Sequence, residues 1–312
     1  MLRPVTLPRA LLVLAACLGG SACGDDDPRA GRKAHADETP EQVGERLLEG
    51  DPLDALTLLA RPHAAVREGL GPHSLVCKTT LSLAPTRPPP PNPPVDTPVP
   101  PDQAIADEVA LRWESPDDAG PRFALEQHND KERGRSVVML GGMVYTKLEH
   151  RPWTFHPLES EVHELWLDDA WRTGHDALEF LLPGATVTTE PAVGEGWAGG
   201  DAIRLTLAPG SGTTPPGREQ GWRTEVAFSA LSGTILIDAG TGAWLSVDAS
   251  ATYTVEGGAG GPLAGQFEVH GRLAPTLPAA PAVATPKDAV ALPQRHRYEE
   301  ERKRLLDGLA AP

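Results

Sequence analysis

The stretch GTILIDAGTGAWLSVDASATYTV, residues 233–255, decides the fold class of this chain. Two runs with strand character, 233–238 and 243–255, flank the tight turn Asp238–Gly242. Two such runs joined by so short a glycine-containing turn predict antiparallel strands that pair as a hairpin. The body of the chain repeats this organisation on both sides of the hairpin.

Further strand-like runs are separated by turn-rich segments such as 115–121 and 129–135. Helical spacing occurs in 157–182, between the two halves of the meander, and in two short segments that begin at Thr39 and Asp51. We therefore predict an α+β fold with a mostly antiparallel, curved sheet, a half-barrel or open-barrel meander, and helices packed on one face. The further predicted strands are 74–83, 108–114, 122–128, 136–140, 143–148, 153–156, 186–189, 202–207, 222–228 and 265–273.

The first 27 residues have the order of features that is typical of a secretory signal. Arg3 and Arg9 precede an apolar run, 10–18, which passes into small residues and cysteine before the acidic start at Asp25. The run is about half the roughly 20 residues that a membrane-spanning helix needs. We predict a signal peptide at 1–22 and export from the cytoplasm.

Two short segments in this region, 14–17 (LAAC) and 20–23 (GSAC), resemble the lipobox of bacterial lipoproteins. In that family a small residue precedes the cysteine that becomes lipidated and N-terminal. The resemblance implies a lipid anchor on Cys23 or on Cys17, and a place in the bacterial cell envelope, on the inner or outer membrane, facing the periplasm or the cell surface. Cys23 is preferred because a longer apolar core precedes it and a polar segment follows. An ordinary cleaved signal with incidental cysteines is the alternative.

Composition divides the remaining chain into segments. Residues 23–38 are polar and without periodicity, which predicts a disordered tether. We predict a single sheet-dominated domain at 39–274, interrupted by a proline-rich loop, 85–101, with ten prolines in 17 positions. Proline and alanine dominate 275–293, a predicted linker, and helical spacing predicts a C-terminal helix at 294–309.

A long antiparallel meander with a helical segment between its halves, behind a lipobox, resembles the bacterial lipoproteins built as a curved half-barrel sheet covered by helices. The lipoprotein-carrier (LolA-like) group and the mycobacterial lipid-binding lipoproteins are examples. The resemblance covers about residues 40–274 and includes no diagnostic motif, so no functional residue follows from it. The proline-rich loop and the C-terminal helix depart from that pattern.

The chain is acidic, with a formal net charge of −15, and its longest basic cluster is Arg302–Arg304. Nucleic acid is therefore not an expected partner, and neither is electrostatic docking onto anionic lipid. No nucleophile, base and orienting group appear in a recognised arrangement, so we expect no enzyme and no cofactor. Gly194–Gly199 spells a dinucleotide fingerprint, but a strand-like run follows where a helix is needed.

Histidine and carboxylate side chains are concentrated between residues 156 and 179. Both types are metal ligands, yet the HExxH spacing is absent and an acidic chain distributes such residues over solvated faces. We therefore predict no metal site. Stoichiometric zinc in the purified protein would support the alternative, a metal site formed by this cluster. Its members are His156, Glu159, Glu161, His163, Glu164, Asp168, Asp169, His175, Asp176 and Glu179.

Seven tryptophans against five phenylalanines is an unusual ratio. Trp113, Trp153, Trp166 and Trp244 are candidate ligand-binding residues, because an indole suits the lip of an apolar cleft. Packing in the core is the alternative, and we favour it. Cys77 alternates with apolar neighbours in a strand-like run, which predicts a buried, unreactive thiol.

These features predict a membrane-anchored envelope lipoprotein that acts as a non-enzymatic structural or partner-binding module, held on the membrane by its lipid. The alternative is a binder or carrier of a lipid or other hydrophobic ligand in a cleft between the sheet and the 157–182 segment. A metal-dependent enzyme is the third hypothesis.

Overall fold

The computed structural model describes six stretches of the chain. They are residues 38–86, 103–158, 162–213, 226–256, 261–277 and 280–292. The predicted signal peptide, both candidate lipidation sites, nearly all of the tether and of the proline-rich loop, and the C-terminal helix lie outside these stretches. No helix in the described stretches is long and apolar enough to cross a membrane.

The fold is α+β, as predicted, with an open, curved sheet of 12 strands in the order β12-β6-β5-β4-β3-β2-β1-β11-β10-β9-β8-β7. All neighbouring strands are antiparallel except β12, which pairs parallel to β6. The strands are β1 His73–Pro85, β2 Gln103–Asp117, β3 Gly120–Asn129, β4 Gly134–Leu140, β5 Met143–Leu148, β6 Thr154–Pro157, β7 Ala185–Ala192, β8 Ala202–Pro209, β9 Val226–Asp238, β10 Trp244–Val255, β11 Leu263–Pro275 and β12 Val290–Ala291.

Five α-helices are described, and their buried residues join those of the sheet in one core. The first begins as the sequence predicts: Thr39 and Gln42 form a capping box and Gly50 ends the helix at φ +114. The third helix has no counterpart among the predicted elements. The helices are α1 Pro40–Glu49, α2 Leu53–Leu59, α3 His63–Leu70, α4 Val162–Trp171 and α5 Thr173–Leu181, with short 3-10 turns at Leu182–Gly184 and Trp197–Gly199.

The two faces of the sheet differ in burial, and β10 shows this most clearly. Val247 and Tyr253 are 1% and 0% exposed and face the helices, whereas Asp248 and Ser250 alternate with them and are exposed. We call the helix-covered side the inner face and the other side the outer face. From Val247 to Val255 buried and exposed residues alternate, which is the pattern of a sheet that buries one side.

We call residues 280–292, part of the predicted linker, the outer strap. Its start packs against the outer face at β2, and its end, β12, pairs with the edge strand β6. The Val283 backbone N–H donates to Glu114 Oε1 at 2.8 Å, and the Arg112 guanidinium donates to the Ala280 carbonyl at 3.4 Å. Further along, the Val290 N–H donates to the Trp153 carbonyl at 2.9 Å. The Val290 bond belongs to the β12-β6 ladder, whereas residues 280–283 form no ladder or helix and have backbone groups free for bonds to side chains of β2.

Candidate functional site: a buried histidine pair

Two histidines at the starts of neighbouring elements meet in the core. His63 is the first residue of α3 and His73 the first of β1, and both side chains are 0% exposed. Gly71 reverses the chain between them at φ +62, a left-handed conformation that glycine adopts without strain. The short connection brings the end of α3 onto the first strand of the sheet.

The hydrogen bonds of the pair fix its tautomers. His73 Nδ1 lies 2.7 Å from the Gly71 carbonyl oxygen, which only accepts, so Nδ1 carries the hydrogen. The Nε2 of His73 is then an acceptor, and the Nε2–H of His63 donates to it at 3.0 Å. This leaves a lone pair on His63 Nδ1, a buried atom with no hydrogen-bond partner in the described residues.

Indole rings surround the pair. The His63 ring packs against Trp113 and Trp171, with centroids 5.1 Å and 5.3 Å apart. Trp197 meets the His73 ring edge-on at 6.5 Å, and its own Nε1–H donates to the Leu70 carbonyl at the end of α3. The two imidazoles therefore lie in a largely apolar box.

Charged groups close one side of this box, and we call Arg67, Glu164 and Asp168 the ionic rim. The Arg67 guanidinium lies 4.8 Å from the centre of the Trp113 ring and donates to both carboxylate oxygens of Glu164, at 2.8 Å and 2.9 Å. Asp168 Oδ1 accepts the His63 backbone N–H at 2.8 Å. The rim thus joins α3 to α4.

Burial determines the protonation of these groups. It lowers the pKa of His63 to about 2, helped by the nearby His73 and Arg67, and it lowers the pKa of His73 to about 4 against the opposing effect of the Gly71 hydrogen bond. Burial also raises the pKa of Asp168. Both imidazoles are therefore neutral at pH 7, which agrees with the tautomers that the hydrogen bonds require.

The four tryptophans selected from the sequence lie in different surroundings. Trp113 and Trp244 are 3% and 0% exposed and belong to the core, as the favoured alternative predicts. Trp166 and Trp153 are partly buried. Among the ring contacts of the described residues, none joins two of these four.

The predicted histidine-carboxylate cluster is divided among separate places. Glu164 and Asp168 belong to the ionic rim, and His163 Nε2 lies 3.1 Å from Glu164 Oε1. Asp169 accepts from Arg135 at 2.7 Å, on a different side of α4. His156 is exposed to solvent in part and its Nδ1 lies 2.7 Å from the Pro157 carbonyl oxygen. Glu159 and Glu161 are outside the described stretches.

Three members of that cluster do come together on α5. His175, Asp176 and Glu179 offer ligand atoms within 4.8 Å of one another. Imidazole and carboxylate suit a divalent transition metal. However, His175 Nδ1 already lies 3.0 Å from Asp176 Oδ1, and the Arg172 guanidinium lies 3.7 Å from the same oxygen, which opposes a cation there. We assign no metal to this group.

Sequence reasoning missed both residues of the histidine pair. His63 and His73 fit no motif, since their contact depends on how α3 folds back on β1 and not on a spacing that carries chemistry. The only local signal was the Gly71-Pro72 turn between them.

Comparison with known proteins adds little to this description. No family model matches the chain, and no curated protein matches it. Among solved structures, the chain is similar to the complex structure of Pseudomonas aeruginosa MucA/MucB, with 13% identity, a TM-score of 0.19, and coverage of 74% of this chain and 58% of that one. The chain thus spans less than two thirds of that protein's length, and a likeness at this TM-score supports no functional argument.

Proposed function

We propose that this chain is a lipid-anchored protein of the bacterial cell envelope, and that its sheet-helix domain acts without catalysis as a structural or partner-binding module. The two lipobox-like segments that end at Cys23 and Cys17 support the anchor. The packing of α4 and α5 on the inner face of the sheet supports the module.

The packing of α4 and α5 on β10 is the observation that carries this proposal. Trp171 and Trp244 are 1% and 0% exposed, their rings lie 5.9 Å apart, and Trp244 Nε1 donates to the Trp171 carbonyl at 2.9 Å. At Gly174 an added Cβ would lie 2.9 Å from the Trp244 ring. Side chains of the chain itself thus fill the space between α4, α5 and β10, which supports a module without a ligand cleft there.

The polar groups of the inner face support a role without catalysis. The Glu164 carboxylate is committed to Arg67, and the Asp168 carboxylate accepts the backbone N–H of His63. Burial moves the pKa values of His63 and His73 well below 7, so neither ring is poised to exchange a proton near neutral pH.

The anchor is tested by mass spectrometry of the N-terminal peptide from protein purified from a bacterial membrane fraction. We expect acyl chains on Cys23 or on Cys17. Cys23→Ala and Cys17→Ala, made separately, identify the modified residue, because only one of them should release the protein from the membrane. A mature N-terminus without lipid at any other residue would refute the anchor.

A hydrophobic ligand is the second candidate, and one strip of the inner face favours it. Leu81 on β1 lies opposite Ile105 on β2 and Phe267 on β11, and both Leu81 and Ile105 are only partly buried. Titration with a fatty acid, monitored by tryptophan fluorescence, distinguishes the two candidate functions. A saturable change in fluorescence would favour the ligand if Leu81→Asp abolishes it and the outer-face control Val76→Asp does not. No change in fluorescence favours the module.

A further inference from the structure

The histidine pair joins an element of the helical layer to the sheet by a single side-chain hydrogen bond. We propose that the bond from His63 to His73 is an acid-sensitive latch, which holds α3 on the sheet while both rings are neutral and releases it when they take up protons. This inference concerns regulation and does not depend on the lipid anchor.

Protonation of His73 breaks the bond directly. Its Nδ1–H is already donated to the Gly71 carbonyl at 2.7 Å, so a proton adds at Nε2. That places an N–H against the Nε2–H of His63 at the present separation of 3.0 Å. Two donors at this distance repel each other, and moving the His63 hydrogen to Nδ1 would bury an N–H that has no acceptor in the described residues, so protonation disfavours the closed pair.

Protonation of His63 is even less favourable. Its free lone pair is on Nδ1, which has no acceptor nearby in the described residues to receive the new N–H. The cation would form beside the Arg67 guanidinium and within the indole box of Trp113 and Trp171. A buried charge without a counterion is costly, so the closed arrangement opposes it.

The charged groups that face the pair offer no ready counterion. On α4, Glu164 is bound by Arg67 and lies 3.1 Å from His163 Nε2, while Asp168 holds the backbone N–H of His63 and is near Arg172. The other rings that contact the pair are the indoles of Trp113, Trp171 and Trp197. Burial raises the pKa of Asp168 in the closed arrangement, so proton uptake by this carboxylate does not favour release of α3.

The sign of the pH effect follows from the depressed pKa values. Burial lowers the pKa of His63 to about 2 and of His73 to about 4, whereas a released ring returns to about 6.5. Between pH 6.5 and pH 4 the open state therefore binds more protons. Each ring shifts the equilibrium toward opening about tenfold per pH unit, which gives about a thousandfold for two rings at pH 5.

Hydrogen-deuterium exchange of the full chain at pH 7 and pH 5, with exchange times scaled for the intrinsic rate, measures this opening. We expect a peptide covering 61–71 to lose protection by about two to three orders of magnitude at pH 5. A peptide covering 244–255 should stay protected. Equal protection of 61–71 at both pH values overturns the latch, and so does simultaneous loss in both peptides, which is general acid unfolding.

Variants show whether the histidines cause the change. In His63→Gln the side-chain amide still donates to His73 but does not titrate, so the loss of protection at pH 5 should be about thirtyfold smaller. The double variant with His73→Gln should lose the effect. His270→Gln, on the exposed outer face, is the control and should behave as the wild type. A wild-type response in His63→Gln refutes the proposal, and near-UV circular dichroism at pH 7 establishes first that each variant is folded.

A measurement that needs no variant checks the same geometry. Nitrogen-15 NMR of the imidazoles at pH 7 should show the hydrogen of His73 on Nδ1 and that of His63 on Nε2. The reverse tautomers, or a charged ring in either residue at pH 6, would contradict the latch.

Discussion

On strand β10, Tyr253 on the inner face is 0% exposed, whereas its neighbours Thr252 and Thr254 on the outer face are exposed. The same contrast holds across the sheet: five helices cover the inner face, while the outer strap covers part of the outer face. Large aromatic residues are concentrated on the inner side, and short hydroxyl-bearing side chains on the other. Burial of large side chains is therefore concentrated on one side of the sheet, and we expect that side to contribute most of the stability.

Removing a large side chain from the inner face should have the largest effect. Trp244→Ala removes an indole that is 0% exposed and leaves the Trp171 carbonyl without its donor. We expect the free energy of unfolding to fall by about 4 kcal/mol. Urea unfolding followed by circular dichroism measures the loss.

Trp153→Ala is the matched control, because this indole is only partly buried beside the short strand β6. We expect Trp153→Ala to lower the free energy of unfolding by about 1 kcal/mol. Equal losses for the two variants would mean that the inner face is not the dominant source of stability.

Two adjacent positions on β1 compare the faces directly. Cys77 is 2% exposed on the inner face, and burial raises the pKa of its thiol to about 12. Val76 points outward and is 44% exposed. In the Val76→Cys variant we expect iodoacetamide at pH 8 to label residue 76 at least about a hundredfold faster than Cys77. Peptide mass spectrometry distinguishes the two sites, and similar rates would contradict a closed inner face.

The outer strap should contribute least to the stability of the fold. Val283 is 7% exposed, and Val283→Asp places a carboxylate beside Glu114, which already accepts the backbone N–H of residue 283. We expect a loss of about 1 kcal/mol, because the strap can detach while the sheet stays folded. Trypsin cleavage after Lys287 should become faster.

Val290→Asp is the control for the strap, since Val290 is 59% exposed and its backbone N–H bond to Trp153 does not need the side chain. We expect Val290→Asp to have little effect on the rate of trypsin cleavage after Lys287. A loss of stability for Val283→Asp as large as that for Trp244→Ala would show that the strap belongs to the main core.

Local sequence patterns were sufficient to predict most of the sheet and the first helix. The 233–255 stretch predicts the β9-β10 hairpin, and the capping residues around Thr39 predict the start of α1. The sequence predicts 222–228 and 233–238 as separate strands, and Ser229 and Ser232 lie between them. In the structure both serines are exposed, and one strand, Val226–Asp238, continues through them.

The remaining features depend on contacts between distant parts of the chain. Val283 bonds to Glu114, 169 residues away, and a proline-rich composition gives no sign of such a partner. The bond between His63 and His73 spans only ten residues, yet it requires α3, whose eight residues carry too short an apolar pattern to be identified alone.

The central claim is that side chains of the chain itself fill the inner face, which leaves the domain to act through its surfaces. Native mass spectrometry of protein purified without detergent, combined with organic extraction of the unfolded sample, tests this claim most directly. We predict a mass that equals the chain and its covalent N-terminal lipid alone, and an extract without free lipid. A lipid or other hydrophobic molecule present at about one per chain, and released on unfolding, would contradict the account.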